Sequence, residues 1–178
     1  MGLSIKTVSL FSYHHWSVKR LYKSAFPPEE RLPYLSLLAN AWTGLGRFEA
    51  YYDGRTFVGF TYTLTGQMLD FLFFLAVETS LRSKGYGGQM VRLIREKAGA
   101  KPVLLAIEPL ETRASNYSQR QHRLRFYQKN GWQLTDTFYH EGSERYQLMT
   151  TQPLPSYKPL QELMDNYCLK GVAVSLSK

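Results

Sequence analysis

The sequence is poor in cysteine, with Cys168 as the single thiol among 178 residues. An intrachain disulfide is therefore excluded, and so few thiols are typical of a protein that works in a reducing cytoplasm. The G-x-S-x-G motif of serine hydrolases is also missing. His14 and His15 are adjacent, so they lack the i, i+4 spacing with which a helix presents two ligands to a metal ion. We therefore expect no metal cofactor.

Long apolar runs are missing as well. The longest, MLDFLFFLAV at residues 68–77, is far shorter than the roughly 20 residues of a membrane-spanning helix, and Asp70 interrupts it. The first twenty residues carry histidines and charged side chains where a signal peptide needs an unbroken apolar stretch. These features predict a soluble, cytoplasmic protein with no membrane partner.

Acidic residues are outnumbered, since 22 Lys and Arg against 14 Asp and Glu give a net charge of +8. Such an excess favours nucleic acid, an anionic membrane surface or a phosphorylated ligand, and cannot choose among them. Because the charge is spread along the chain rather than gathered in one block, a nucleic-acid partner ranks last. The apolar fraction of 44% and the chain length predict one folded globular domain rather than disorder.

The hydrophobic periodicity predicts alternating strands and helices. Asp53-Gly54, between two β-rich arms, predicts a tight hairpin turn with positive φ at both central residues. The runs at 68–77 and 102–107 predict buried strands, the first covered on both faces. Helices are predicted at 14–25, 34–42, 87–98, 115–129 and around 160–164, and further strands at 4–10, on both sides of the hairpin turn, at 132–140 and at 144–150. This order predicts an α/β or α+β fold with a central mixed sheet.

A basic, glycine-rich turn, RSKGYGGQM at 82–90, separates the strand at 68–77 from the next helix. A helix start leaves backbone N–H groups unpaired, and glycines let a ligand approach the backbone, so the turn can hold a diphosphate. Met90 replaces the third glycine of the dinucleotide fingerprint, and the G-K-[ST] of an ATP loop is absent. The spacing R-x-x-G-x-G does fit, through Arg82, Gly85 and Gly87. Alternatively, a glycine-rich turn of this kind only connects a strand to a helix and binds no ligand.

A second motif, RFYQKNGW at 125–132, ends the basic helix with the pattern aromatic-Tyr-x-Lys-x-Gly-aromatic. With both motifs and one strand between them, the chain resembles the GNAT N-acetyltransferase superfamily over roughly residues 4–150. The resemblance implies a mixed, mostly antiparallel sheet with helices on both faces, in which the strands at 68–77 and 102–107 are parallel and splay apart. Residues 1–150 are then expected to be the acetyltransferase domain, and residues 151–178 a C-terminal extension for which packing on that domain is the first of three alternatives.

The resemblance also implies acetyl-CoA as the acyl donor. Its pantetheine arm is expected to enter the splay and to bond to the backbone of Leu75, Ala76 and Val77. The turn is expected to hold the diphosphate through its N–H groups, with Arg82 and Lys84 adding positive charge at the rim. The expected cofactor-binding residues of the turn are Arg82, Ser83, Lys84, Gly85, Tyr86, Gly87 and Gly88, and Tyr127 joins them.

Amide formation from a thioester and an amine needs two proton movements. An amine with a pKa of about 10.4 must lose a proton, and the leaving thiolate must be stabilised. Tyr127 matches the tyrosine that acts as the acid in this family. The alternative interpretation is a structural core tyrosine beside Phe126. Glu108, at the end of the strand at 102–107, is the predicted base, and otherwise is a solvated carboxylate or the partner of a helix arginine. Glu78, which otherwise caps the glycine turn, and water are alternative bases.

Glu29 and Glu30 lie in the loop that covers the acceptor site in this family. They are predicted to bind a cationic acceptor, or else to form local salt bridges. The arginines of the helix at 115–129 could meet the 3′-phosphate of CoA, although a solvated face is the simpler interpretation. Arg120 departs from the asparagine that the family commonly carries there, which puts an asparagine–cofactor contact in doubt.

The sequence therefore predicts an N-acetyltransferase that moves an acetyl group from acetyl-CoA to a primary amine of a small molecule or peptide. The alternative is a non-catalytic acyl-CoA-binding sensor. The segment at 151–178 packs on the sheet, fills the acceptor cleft or mediates a homodimer, and the sequence does not choose among these.

Overall fold

The computed structural model describes residues 2–142, 144–167 and 174–177; Cys168 lies outside them. The described part contains eight strands and five α-helices, with short 3-10 turns at Pro28–Glu30 and Thr79–Leu81. In chain order the elements are β1 (Ser4–Thr7), α1 (His14–Ala25), α2 (Tyr34–Trp42), β2 (Gly46–Asp53), β3 (Thr56–Thr65), β4 (Asp70–Val77), α3 (Tyr86–Ala98), β5 (Val103–Ile107), α4 (Tyr117–Lys129), β6 (Gln133–Glu141), β7 (Glu144–Thr150), α5 (Lys158–Asn166) and β8 (Val174–Ser177).

The strands form a mixed sheet in the order β1-β2-β3-β4-β5-β7-β6-β8. β4 and β5 are parallel, whereas β1–β2, β2–β3, β5–β7, β6–β7 and β6–β8 are antiparallel. The parallel register joins the first two residues of each strand, Asp70 with Val103 and Phe71 with Leu104. The predicted class, a mostly antiparallel sheet with a central parallel pair, is confirmed. The splay of these two strands stays a prediction.

The chain packs as two compact units. The first comprises Met1–Thr65 and Leu72–Ile94, and the second comprises Gly66–Phe71 and Arg95–Lys178. In the first unit, helices cover both faces of the sheet, as predicted. Phe74 of β4 points toward α1, where its ring centroid lies 5.2 Å from that of Tyr22. Leu75, the next residue, points to the opposite face because side chains alternate along a strand. There it packs on the cluster that contains Met90 of α3.

A bulge in the β2–β3 pair lets one strand serve both faces. The register shifts between Tyr51 and Tyr52, which leaves Val58 as an extra residue of β3. Val58 therefore packs with Met90 of α3, although Phe60, only two residues later, stacks against Tyr22 of α1. Both core clusters thus depend on one irregular position.

In the second unit, the segment after Thr151 supplies α5 and β8. The buried face of α5 consists of Leu160, Leu163 and Met164. β8 pairs antiparallel with β6, from Phe138 opposite Ser177 to Glu141 opposite Val174. β7, which follows β6 in sequence, lies between β5 and β6 in the sheet.

Most element boundaries lie within two residues of the prediction, and the end of β1 and the position of the hairpin turn are the differences with a clear local cause. β1 ends at Thr7 rather than at residue 10, because Ser9 and Ser12 form a turn in which the Ser12 N–H and hydroxyl both donate to the Ser9 carbonyl. In the hairpin, Asp53 pairs with Thr56, so the central residues are Gly54 and its successor. Of these two only Gly54 has a positive φ, at 57°, which is the pattern of a type II′ turn. The prediction of two left-handed central residues is therefore wrong.

The buried ion pair of the second unit should matter more for stability than an exposed one. The Asp70 side chain is fully buried and accepts a hydrogen bond from Lys101 Nζ at 2.6 Å. Asp70→Asn should lower the free energy of unfolding by about 2 kcal/mol, less than for a fully buried pair because Lys101 is about a third exposed. In the exposed Lys158–Glu162 pair, Glu162→Gln should change it by less than about 0.5 kcal/mol. Urea denaturation of both variants measures the difference, and equal losses would contradict it.

Candidate active site

The turn between β4 and α3 has an unusual backbone. Ser83 has φ 63° and Gly85 has φ 84°, so both residues are left-handed. α3 begins at Tyr86, and the Gln89 N–H donates to the Gly85 carbonyl at 3.2 Å. The N–H groups of residues 86–88 therefore precede the first intrahelical donor and have no partner within the helix. Left-handed residues at a helix start are typical of concave nests in which successive N–H groups converge on an anion.

The left-handed conformation of Ser83 was not predicted from the sequence. It has a positive φ without being glycine, which no other described residue does. A left-handed conformation costs a residue with a Cβ roughly 1–2 kcal/mol. At Gly85 a Cβ would meet open space, so glycine is needed there for its φ and not for room. Backbone strain of this kind concentrates at functional turns.

The end of β4, where Leu75, Ala76 and Val77 were predicted to bind pantetheine, directs its backbone groups to alternate sides. The Ala76 carbonyl faces β3, because a Cβ on Gly59 would lie 2.2 Å from its oxygen. The carbonyl and N–H groups of Leu75 and Val77 therefore point away from β3. Arg82 Nε donates to the Val77 carbonyl at 3.3 Å. The predicted turn arginine is thus tied to the end of the predicted pantetheine strand.

Tyr86 contributes to the turn through its backbone, since its side chain is engaged elsewhere. Its hydroxyl donates to Asp53 Oδ2 at 2.8 Å, which links the start of α3 to the end of β2. This hydrogen bond to Asp53 is the main reason that the pKa of Tyr86 is raised. The side chains of Arg82 and Lys84 are exposed, as expected for charges at the rim of an anion site.

Tyr127 lies near the end of α4 in an aromatic setting. Its ring centroid is 5.0 Å from that of Phe126 and 5.8 Å from that of Trp132, and the Trp132 N–H donates to its carbonyl at 3.0 Å. Burial raises the pKa of the Tyr127 phenol to about 12, and the Arg123 guanidinium acts in the opposite direction. Across the described ranges the hydroxyl has no hydrogen-bond partner, so it is available to donate to a ligand.

Glu108 follows β5 directly and has both carboxylate oxygens engaged. Oε1 accepts from Asn116 Nδ2 at 2.9 Å and pairs with Arg120 at 3.1 Å, and Oε2 accepts from Arg123 at 3.0 Å. We call these four residues the Glu108 network. Because Arg123 also acts on the phenol of Tyr127, the network connects the two predicted catalytic residues of the second unit.

Arg120 organises the connection between β5 and α4. Besides Glu108, its guanidinium donates to the Pro109 carbonyl at 2.8 Å and to Asn116 Oδ1 at 2.7 Å. The interpretation of this residue as part of a solvated face is therefore wrong, because the shape of the connection brings three acceptors to its guanidinium. The sequence also gave no role to Asn116. Its position just before α4 and four residues before Arg120 was the available signal.

The other predicted acidic residues lie in the first unit. Glu78 does not cap the turn with its side chain, which instead forms an ion pair with Arg20 of α1. Glu29 and Glu30 lie in the exposed 3-10 turn between α1 and α2. Within the described residues, no three His, Cys, Asp or Glu side chains are grouped to hold a metal ion. None of the helices described here has the length and apolar character needed to cross a membrane.

The fold is similar to those of solved GNAT acetyltransferases. A GNAT-family protein from Bacteroides thetaiotaomicron matches with a TM-score of 0.74 at 21% identity, over 92% of this chain and 94% of that one. An aminoglycoside 6′-N-acetyltransferase complexed with coenzyme A matches at 0.64 and 17% identity, over 86% and 99%. Arabidopsis thaliana Naa50, in complex with the bisubstrate analogue CoA-Ac-MVNAL, matches at 0.61 and 16% identity, over 86% and 100%.

These similarities show that the chain has the GNAT acetyltransferase fold, as the resemblance implied. No protein-family model matches the chain, and no curated protein does. The likeness that these comparisons show is therefore one of fold.

Arg120 and Arg125 on the same helix provide a matched test of the Glu108 network. Arg120→Ala removes charged hydrogen bonds to three acceptors and should destabilise the protein by about 2–3 kcal/mol. Arg125 is exposed, so Arg125→Ala should change stability by less than about 0.5 kcal/mol. Chemical denaturation of both variants measures the contrast. If Arg120→Ala is as mild as Arg125→Ala, the network does not hold the β5–α4 connection.

Proposed function

We propose that the protein is an acetyl-CoA-dependent N-acetyltransferase that acylates a primary amine of a small molecule or peptide. The observation that carries this proposal is the turn before α3, with left-handed Ser83 and Gly85 at the start of a helix. The GNAT fold supports it, and similar structures include complexes with coenzyme A and with a CoA-linked peptide analogue.

The turn is proposed to bind the diphosphate of acetyl-CoA. Three N–H groups at the start of α3 have no partner within the helix, and the helix dipole adds a partial positive charge at the same place. Arg82 and Lys84 add two exposed positive charges. The backbone of Leu75 and Val77, which faces away from β3, is proposed to hydrogen-bond the pantetheine arm.

Tyr127 is proposed to stabilise the leaving thiolate by donating a hydrogen bond. Its phenol, with a pKa of about 12, remains protonated throughout the neutral range. An ordinary thiol has a pKa of about 8.5, so complete proton transfer from this phenol to a thiolate is uphill by about 5 kcal/mol. Donation of a hydrogen bond avoids this free-energy cost and still stabilises the negative charge that develops on the thiolate.

Glu108 was the predicted base, but its contacts favour an indirect role in the mechanism. Asn116, Arg120 and Arg123 occupy three of the roughly four lone-pair positions of the Glu108 carboxylate, so protonation of Glu108 would compete with two ion pairs. We therefore propose that the acceptor ammonium releases its proton to bulk solvent through water, and that the neutral amine then attacks the thioester. Glu108 then serves the site by fixing Arg123, which in turn acts on Tyr127.

Glu29 and Glu30 are proposed to attract a cationic acceptor. Both are exposed in the 3-10 turn between α1 and α2, and residues 1–28 contain no acidic side chain. The non-catalytic sensor is kept as the second candidate, because the predicted base already forms two ion pairs and accepts a hydrogen bond from Asn116. A sensor binds acetyl-CoA but releases no free thiol from it with any amine.

A pair of glycine substitutions tests the diphosphate site. Gly85 and Gly99 both have positive φ with open space around a Cβ, so valine imposes a similar backbone strain at each. Gly85→Val should weaken acetyl-CoA binding at least about tenfold, which is about 1.4 kcal/mol, because it reshapes the turn. Gly99→Val, at the other end of α3, should change it by less than about twofold. Calorimetric titration with acetyl-CoA measures both, and unchanged affinity in Gly85→Val would exclude the site.

The role of Tyr127 is tested by removing only its hydroxyl. Tyr127→Phe should lower kcat by about a hundredfold while acetyl-CoA affinity changes by less than about threefold, because the hydrogen bond forms as the thiolate develops. Tyr117→Phe on the same helix is the control and should leave kcat unchanged. Free-thiol release with pooled primary amines gives kcat. An unaltered kcat in Tyr127→Phe would remove Tyr127 from the mechanism.

A further inference from the structure

Tyr86 is the residue through which a side chain can fix the start of α3. It lies between Gly85 and the pair Gly87 and Gly88, so it alone carries a side chain in this stretch of the proposed diphosphate site. Glycine leaves the backbone with the most conformational freedom. Any side-chain contact that holds this stretch to the rest of the protein therefore runs through Tyr86.

The side chain of Tyr86 is held by two kinds of contact. It packs against the buried cluster that consists of Tyr51, Val58 and Met90. Its hydroxyl, at the far end of the ring, donates to Asp53 Oδ2 at 2.8 Å. Apolar contacts have no preferred direction, whereas a hydrogen bond weakens steeply when its donor turns away. The hydrogen bond to Asp53 is therefore the contact that sets the orientation of the side chain.

Asp53 is a well-defined point of attachment because it belongs to the β2–β3 hairpin. It is the last residue of β2 and pairs with Thr56 of β3 across the turn that contains the left-handed Gly54. Asp53 and Tyr86 are 33 residues apart in sequence. Their hydrogen bond therefore links a tight hairpin to the start of a helix that lies far along the chain.

We propose that Asp53 is a positioning residue for the diphosphate site: it accepts the Tyr86 hydroxyl and thereby holds the first turn of α3 in the shape that binds acetyl-CoA. This inference rests on the proposed function, because it concerns the same ligand at the same turn. The Tyr86 ring lies between the Asp53 carboxylate and the backbone of the helix start. Asp53 therefore acts through Tyr86 and not on the ligand itself.

The negative charge of Asp53 has two opposite effects on an anion site. Like charges repel, so a carboxylate near the turn opposes the binding of a diphosphate. The same charge makes the hydrogen bond from Tyr86 stronger than one to a neutral acceptor. A positioning role predicts that loss of the hydrogen bond weakens binding, whereas simple repulsion predicts that loss of the carboxylate strengthens it.

The first variant removes the Tyr86 hydroxyl and keeps the ring. Tyr86→Phe should weaken acetyl-CoA binding to the whole chain about fivefold in calorimetric titration, because the turn then adopts the binding shape for a smaller part of the time. The kcat for thiol release should change by less than about twofold, because thiolate stabilisation belongs to Tyr127. Tyr139→Phe is the matched control. It also removes a hydrogen bond from a phenol to a carboxylate, that of Glu141 at 3.3 Å, and should leave acetyl-CoA affinity unchanged.

Two changes at Asp53 separate the acceptor from the charge. Asp53→Asn keeps an oxygen that accepts from Tyr86, so its acetyl-CoA affinity should stay within about twofold of that of the parent chain. Asp53→Ala removes the acceptor and should weaken binding about fivefold. Addition of Tyr86→Phe to Asp53→Ala should cause no further loss, because both changes remove the same interaction. Tighter binding by both Asp53 variants overturns the proposal in favour of repulsion.

Amide hydrogen exchange tests the attachment without acetyl-CoA. The Gln89 N–H donates to the Gly85 carbonyl at 3.2 Å and is the first intrahelical donor of α3. Tyr86→Phe should therefore speed its exchange at least about threefold, because the first turn opens more often. The Gly99 N–H, which is hydrogen-bonded at the other end of α3, should keep its exchange rate.

The outcomes distinguish this inference from the proposed function. If the parent chain binds no acetyl-CoA, the proposed function fails and the positioning role fails with it. If the parent chain binds acetyl-CoA and Tyr86→Phe binds it equally well, only the positioning role fails. Faster exchange at Gln89 with unchanged affinity would leave the hydrogen bond a purely structural contact, and this result also overturns the proposal.

Discussion

The position of β4 constrains most of what lies around it. Its side chains alternate between two hydrophobic clusters, so Phe74 packs on the rings under α1 while Leu75 packs on the cluster that contains Met90 of α3. A strand buried on both faces cannot shift by one residue without exchanging these clusters. The end of β4 is therefore fixed, and with it the residue at which the chain must turn into α3. The connection that begins there, residues 78–85, contains the 3-10 turn and then the left-handed residues Ser83 and Gly85.

Much of the fold could be predicted from the sequence because its signals are local. The apolar face of α1, the prolines after it and the glycine after α3 depend on neighbours in the chain, and the predicted helix at 14–25 matches α1 to the residue. The hairpin turn was misplaced by one residue because pairing of Asp53 with Thr56 is a property of two strands together. The bulge at Val58 was not predicted, although Gly59 beside it was an available local signal, because an isolated glycine within a strand often marks a bulge.

The candidate site was predictable in its backbone and less so in its side chains. The glycine spacing pointed to the turn, and the second motif pointed to Tyr127. Pairing of Glu108 with a helix arginine was only the alternative to its role as base, because the choice depends on how the β5–α4 connection folds back on its helix; the structure has the pairing, with Arg120 and Arg123. Arg120 is instructive. What distinguished it in the sequence was a departure from the family pattern, and in the structure it holds Pro109 and Asn116 in place.

The strand order of the second unit sets the sequence of events by which that unit can assemble. β7 lies between β5 and β6, although β6 precedes it along the chain. The β6–β7 hairpin closes a short loop and can form within microseconds. The pairing of β7 with β5 is a non-local contact, because α4 and β6 separate the two strands in sequence, and it therefore forms more slowly. We therefore expect the hairpin to form first and to dock on β5 as a finished ribbon. The slow step in folding of this unit is then the docking of the hairpin on β5, where Leu105 comes to lie opposite Met149.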